Sequence, residues 1–210
     1  MADKPLDQVY AANNSAELQN AYQAWSSDYD RETAADGYCL PFIIAAWVAR
    51  YVPADSGPLL DAGCGTGLTG PYLRALGYSD IEGLDFSPDM LRVAQRRDAY
   101  ASLVEAELGK KLPWRDGHFR AVYSTGVFTE GHAPASSLDE LARITRIGGH
   151  VIVTVRCSIL DSGGFGREFA RLAQDGTWRM IEQSPPFRAF AVGEPDVLVS
   201  AFVYEISHAS

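Results

Sequence analysis

Apolar positions along the chain follow two periods. From about Ala16 to Tyr51 they recur at intervals of three and four: Tyr22, Trp25 and Tyr29 share one helix face, and Phe42, Ile43, Ala46 and Trp47 mark a second helix. Pro53 and Gly57-Pro58 break this pattern, and the short apolar run Leu59-Leu60 reads as a strand ending at Asp61 in a glycine-rich turn. Strand-like runs follow at 81–85, 103–106, 121–124 and 151–155. Between them lie helical stretches at 71–76, closed by Gly77, and at 90–100, where Ser87 can cap, Pro88 fits the first turn and Asp89 meets the positive helix end. Ser137 with Glu140 reads as a capping box opening a helix that ends at Gly148-Gly149. Strands alternating with helices predict a parallel sheet covered on both faces. The last third changes character: a helix near 167–172, then strands near 178–181 and 197–206 around a loop with Pro185, Pro186, Gly193 and Pro195, which most simply close the sheet as an antiparallel hairpin.

Composition narrows what such a sheet does. At 210 residues and 47% apolar, the chain fits one soluble domain with a sizeable core. Its 18 Lys and Arg against 27 Asp and Glu leave a formal charge of −9, which argues against nucleic acid or an anionic membrane as partner. Cys39, Cys64 and Cys157 are odd in number and lack paired spacing, so neither a disulfide framework nor a metal site is expected. The segment Met1 to Leu6 has no signal pattern, and the longest apolar run, Leu40 to Val48, is too short to span a bilayer, so a reducing, cytoplasmic location is expected.

The most informative stretch is Asp61-Ala62-Gly63-Cys64-Gly65-Thr66-Gly67, between a buried strand and a helix. Glycines there let a ligand approach the backbone and adopt positive φ at little cost. Asp85 ends the next strand, so in a parallel sheet it lies beside this loop at the carboxyl edge, where open α/β folds bind ligands. A carboxylate in that place can accept hydrogen bonds from two vicinal ribose hydroxyls. Phe86 is placed to flank a purine, although plain packing serves as well.

Such a nucleoside belongs either to a nicotinamide dinucleotide or to S-adenosylmethionine. Gly65-Thr66-Gly67-Leu68-Thr69-Gly70 also reads G-x-G-x-x-G, and Asp85 comes twenty residues after Gly65, so spacing does not separate the two. Three other features favour the sulfonium. Asp61 would repel a pyrophosphate but can orient the ammonium of a methionyl tail. None of the ten tyrosines is followed four residues later by Lys, as a short-chain reductase requires. The pattern leaves no stretch for a separate substrate domain.

Leu60-Asp61-Ala62-Gly63-Cys64-Gly65-Thr66-Gly67 resembles the first motif of the class I S-adenosylmethionine-dependent methyltransferases, and Gly83-Leu84-Asp85-Phe86-Ser87-Pro88-Asp89-Met90-Leu91 resembles the second. Leu112-Pro113-Trp114 leading to Phe119, and Glu140-Leu141-Ala142-Arg143-Ile144 through Gly148-Gly149-His150, agree with two more. The resemblance runs from about Tyr22 to Arg156. Within the superfamily, Gly65 to Gly70 and the stretch from Thr125 to His132 are similar to the Williams–Beuren-region methyltransferase-like group.

The resemblance implies a Rossmann-like, doubly wound, mostly parallel α/β sheet of seven strands in the order 3-2-1-4-5-7-6, the last antiparallel, beneath an N-terminal helical lid. It implies one methyltransferase domain over 1–210: a lid segment at 1–50, a cofactor-binding core at 56–157, and a closing helix and hairpin at 158–210. It also implies S-adenosylmethionine as cofactor, held by Asp61, Gly63, Cys64, Gly65, Gly67, Asp85, Phe86, Met90 and Thr125. Ala106-Glu107-Leu108 matches the adenine motif with Glu107 in place of the usual Asp, so the backbone at Leu108 serves there even if the longer Glu107 does not. Arg120 stands where relatives commonly carry Asp, a departure that concerns strand packing. Tyr22, Trp25, Tyr29 and Asp30 resemble the segment that covers the methionyl end, with Tyr29 and Tyr38 the better ligand candidates. Residues before Tyr38 are then expected to form a lid ordered by cofactor.

His132 follows the fourth strand and is the candidate base or acceptor contact, against the plainer role of a loop histidine bonded to backbone. Glu130 and Arg156 are weaker candidates. With no basic groove, a small-molecule acceptor is expected. Two alternatives stay open: an NAD(P)-dependent reductase, and an S-adenosylmethionine-binding protein without turnover. Nothing in the sequence sets the oligomeric state.

Overall fold

In the computed structural model, whose described residues are Val9, 15–25 and 28–207, a central sheet carries helices on both faces. The expectation for Met1 to Leu6 and the side chain of Tyr22 lie outside the described residues. Three helices come first: α1 (Ser15–Trp25), α2 (Tyr29–Ala35) and α3 (Leu40–Tyr51). Next come β1 (Leu59–Ala62), α4 (Gly70–Ala75), β2 (Ile81–Asp85), α5 (Pro88–Gln95), β3 (Ser102–Glu105) and β4 (Phe119–Phe128). The chain continues through α6 (Ser137–Ile144), β5 (Thr145–Arg156), a short 3-10 turn, α7 (Phe165–Gln174), β6 (Trp178–Gln183), β7 (Phe187–Arg188) and β8 (Leu198–Ile206).

The strands order as β3-β2-β1-β4-β5-β8-β6. The first five are parallel, and β8 runs antiparallel between β5 and β6. This is the expected winding with one addition: the two-residue strand β7 pairs with the start of β8, making eight strands. Alternation along the strands divides the core. Val151, Val153 and Val155 of β5, with Phe202 and Tyr204 of β8, face Leu138 and Leu141 of α6 and Phe165 and Phe169 of α7. Ile152 and Val203 face the opposite way, with Tyr123, toward Ile44 and Val48 of α3 and Leu73 of α4.

Two local expectations fail for identifiable reasons. The helix predicted to reach Tyr100 stops at Gln95, because the chain turns back through Asp98 in the left-handed region at φ 52°. The capping box at Ser137 does not form. Ser136 occupies the cap without a side-chain bond, and the Glu140 carboxylate is taken by Arg143 at 2.6 Å and by the Leu112 amide at 2.7 Å. That helix ends at Ile144, and the predicted stop at Gly148-Gly149 lies inside the long β5. Ser87 does cap α5, accepting from the Met90 amide, behind Pro88 and Asp89 in the first turn. Arg120 lies at the opposite end of β4 from the glycine loop, donating to the Gly148 carbonyl, in keeping with a packing role.

Candidate functional site

β1 and β2 pair in parallel with Asp61 opposite Gly83 and Ala62 opposite Leu84, so Asp85 emerges at the carboxyl edge just beyond the glycine loop. The loop folds onto β2: the Gly63 and Cys64 amides both donate to the Leu84 carbonyl at 2.8 Å, and the Gly65 amide donates to Asp85 Oδ2 at 2.8 Å. The Ser87 amide donates to Asp85 Oδ1 at 2.9 Å. The Phe86 amide also bears on this carboxylate, whose roughly four acceptor positions still leave room for a ligand.

Gly63 is at φ 79° and Gly65 at φ 54°, values that favour glycine. A Cβ on Gly63 would lie 2.3 Å from Val127, whereas one on Gly65 would meet nothing within 4 Å and point into open space. Gly67 departs from its predicted role. Its face meets Tyr100 and Ala94 at 2.9 and 3.1 Å, so it serves close packing and does not line the cavity.

That open space is a cavity of about 380 Å³ at the carboxyl ends of β1, β2 and β4. Asp61, Gly63, Cys64, Gly65, Asp85, Phe86 and Met90 line one side of it. Glu107, Leu108, Thr125, Tyr29, Tyr38 and His132 complete the predicted set. Glu107 pairs with Lys110 at 2.6 Å. Thr125 meets the Thr154 hydroxyl at 3.1 Å, in a part of β4 where the register against β5 slips between Ser124 and Phe128. Trp25 lies against Tyr29, ring centroids 4.7 Å apart, and donates its indole N–H to Glu32 at 2.7 Å, outside the main cavity.

Both carboxylates are buried. Loss of solvent pushes Asp85 up to about 6 against the opposing pull of its backbone donors, and pushes Asp61 up to about 7. Asp61 accepts from the Tyr100 hydroxyl at 2.7 Å. The Tyr123 hydroxyl also lies against it and lowers the value without completing a geometric hydrogen bond, and the charge of Asp85 raises it. Burial, then the charges of Asp85 and Asp61, hold the Cys64 thiol well above its ordinary range, so it is a wall and not a nucleophile. Two acids that resist ionisation beside an empty-faced glycine make a site that gains from a cationic, hydroxyl-bearing ligand.

His132 Nδ1 lies 2.8 Å from the Glu130 carbonyl and 2.8 Å from the Thr129 hydroxyl. A carbonyl only accepts, so Nδ1 carries the proton and Nε2 is the basic nitrogen. Burial lowers the imidazole's pKa, which keeps it neutral at physiological pH. The two weaker candidates fall away: Glu130 and Arg156 pair with each other at 2.8 Å, Ser158 adds a hydroxyl to Glu130, and neither residue lines the cavity.

Two features escaped the sequence reading. Tyr100 reaches Asp61 because the helix ends early and the chain folds back. Asp30 on α2 accepts from the Thr66 hydroxyl at 2.6 Å and pairs with Arg97, whose Nε donates to the Thr66 carbonyl at 2.6 Å. This three-way contact pins α2 to the loop between Gly65 and Gly67. The sequence singles out Asp30 with Tyr29 in the covering segment, but nothing in it points to Thr66 or Arg97 as partners.

Comparison with known proteins identifies the family. Residues 60–153 match the family model described as a methyltransferase domain. The chain is 32% identical to human methyltransferase-like protein 27 over 184 residues, covering 85% of this chain and 75% of that protein. A shorter match, 43% over 61 residues, is to a mouse 18S rRNA (guanine-N(7))-methyltransferase, of which it covers 21%. Magnesium protoporphyrin IX methyltransferase from Synechocystis, solved with bound S-adenosylmethionine, superposes with a TM-score of 0.62 at 13% identity, covering 97% of this chain and 90% of that one. The chain belongs to the class I S-adenosylmethionine-dependent methyltransferases. Within them it is a relative of methyltransferase-like protein 27, in the methyltransferase-like group its motifs resemble, and S-adenosylmethionine is its cofactor.

The raised carboxyl values have a measurable consequence. Unfolded, both aspartates ionise near 3.8; folded, they keep their protons to about 6 and about 7. Between those limits the native state binds more protons, so these groups stabilise the fold at low pH and lose that effect as pH rises. Asp61→Asn should therefore gain stability over the wild type as pH goes from 4.5 to 7, by roughly 1 kcal/mol per pH unit at first and less as pH nears 7. Urea denaturation across that range checks it, and a difference that stays flat or shrinks contradicts the assignment.

Proposed function

We propose that the enzyme methylates a small molecule, with the donor held by the predicted residues. When bound, S-adenosylmethionine supplies a sulfonium methyl whose bonding electrons leave with a neutral thioether. The chain's own residues have the remaining tasks. Asp85 accepts from the ribose hydroxyls, Asp61 faces the methionyl ammonium, and the backbone of the Gly63–Gly65 turn leaves room for the nucleoside. Glu107 and Leu108 flank the adenine, with Phe86 and Met90 beside it. Tyr29 and Tyr38 cover the methionyl end and keep bulk water out. Where an acceptor starts protonated, His132 Nε2 takes the proton.

The observation carrying this reading is the pairing of two buried carboxylates with a glycine face open to a 380 Å³ cavity. A small acceptor is favoured because Lys110 is the one Lys or Arg lining that cavity among the described residues, and Glu107 already neutralises it. Among the described residues no helix is long and apolar enough to cross a membrane, and no cluster of side chains could hold a metal ion. The reading treats 1–210 as one domain with residues before Tyr38 as its lid, in a cytoplasmic setting.

Asp85→Ala should weaken S-adenosylhomocysteine binding by about 1.5–3 kcal/mol, the range for hydrogen bonds to charged groups. Gly65→Val should abolish it, because the new side chain fills the ligand's place; unchanged calorimetric affinity in either folded variant removes that residue from the site. Labelled methyl transfer into a metabolite extract, run beside purified RNA, tests the acceptor class, and label in RNA alone contradicts the small-molecule reading.

The lid has its own test. Amide exchange in Tyr29–Ala35 should slow on adding S-adenosylhomocysteine, and less so in Asp30→Ala. Exchange that ignores the ligand contradicts a lid.

A further inference from the structure

A second, smaller chamber of about 40 Å³ adjoins the donor cavity, and Tyr29, Tyr38, Gly126 and His132 belong to the walls of both. Tyr38 is the partition. Gly126 sits at φ 71°, and a Cβ there would lie 2.2 Å from the Tyr38 hydroxyl, so only glycine admits this placement. The Tyr38 ring is held on its other side by Phe190, 5.1 Å between centroids, and the two residues form a β-bridge.

Beyond the partition the walls are Leu40, Phe128, Phe190, Val197 and Val199, with no charged side chain among the described residues. Three threonines add hydroxyls that are already engaged. Thr33 donates to the Tyr29 carbonyl at 2.7 Å, Thr129 meets His132 at 2.8 Å, and Thr154 accepts from the Gly126 amide at 3.2 Å. An occupant therefore finds apolar surface, which rewards a neutral hydrocarbon group and penalises a charge that would be left unpaired. The volume admits roughly a branched alkyl group or part of one ring. Leu40, Phe190, Val197 and Val199 all lie outside the 60–153 stretch matching the methyltransferase domain. The donor side is built from the shared domain, and this chamber is built largely from its flanks.

We propose that the acceptor places an uncharged apolar group, no bulkier than a branched alkyl group or part of one ring, in this chamber and presents its nucleophilic atom between Tyr38 and His132. The proposal rests on the methyltransferase reading above and specifies the acceptor's chemistry.

The test uses the full chain saturated with S-adenosylhomocysteine and three probes sharing one ring: 4-methylphenol, the anion 4-hydroxybenzoate and the cation tyramine. Ligand-observed NMR titration should show 4-methylphenol binding at least about tenfold more tightly than either charged analogue. Val199→Asp should cost 4-methylphenol at least about tenfold while S-adenosylhomocysteine affinity stays within about twofold, and the near-isosteric Val199→Thr should cost it several-fold where the Asp variant does not fold. Equal binding of all three probes, binding of 4-methylphenol indifferent to both substitutions, or no binding of 4-methylphenol to the loaded protein overturns the proposal. Failure of the protein to take up S-adenosylhomocysteine at all overturns instead the reading on which it rests.

Discussion

The parallel register of β1 against β2 sets Asp61 opposite Gly83 and brings Asp85, two residues further on, to the same carboxyl edge, and a single carboxylate then organises the loop between them. Asp85 receives the amides of Gly65 and Ser87 on its two oxygens, so it fixes the glycine turn on one side and the start of α5 on the other. The arrangement carries an electrostatic cost, since both acids are buried and within reach of each other's field. Proteins hold such groups together where a ligand repays the cost. In the proposed reading the compensating partner is the donor, through its sulfonium, its ammonium and its ribose hydroxyls.

The rest of the molecule supports that edge. Apolar residues alternating along β5 and β8 bury both faces of the sheet. The slip in register near Thr125 lets the end of β4 curl beside the glycine loop, bringing Gly126 under Tyr38. The N-terminal helices are fastened at a different point. Asp30 and Arg97 hold Thr66 from two sides, which ties α2 to the glycine loop and places Tyr29 at the cavity.

What could be read beforehand was what local pattern encodes. The glycine turn, Asp85 at a strand end and the strands of the central sheet each follow from residues within a few positions of one another. The contacts that were missed join distant segments. Thr66 and Asp30 are separated by 36 positions and Arg97 and Asp30 by 67, and no periodicity links them. Ser137 and Glu140 have the spacing of a capping box, but Arg143 and the Leu112 amide compete for the same carboxylate and win it. Gly67 looked like its neighbours Gly63 and Gly65, and only the packing of Tyr100 and Ala94 against it shows that its smallness serves the protein's own interior.

If the paired acids exist to meet a cationic donor, ligand binding must strip protons from them. Calorimetry of S-adenosylmethionine binding at pH 6.5, in two buffers of different ionisation enthalpy, counts those protons. With Asp61 at about 7 and Asp85 at about 6 in the free protein, a large fraction of one proton should be released per site, falling toward zero by pH 8.5. Binding at pH 6.5 with no net proton release, or with uptake, would contradict the account.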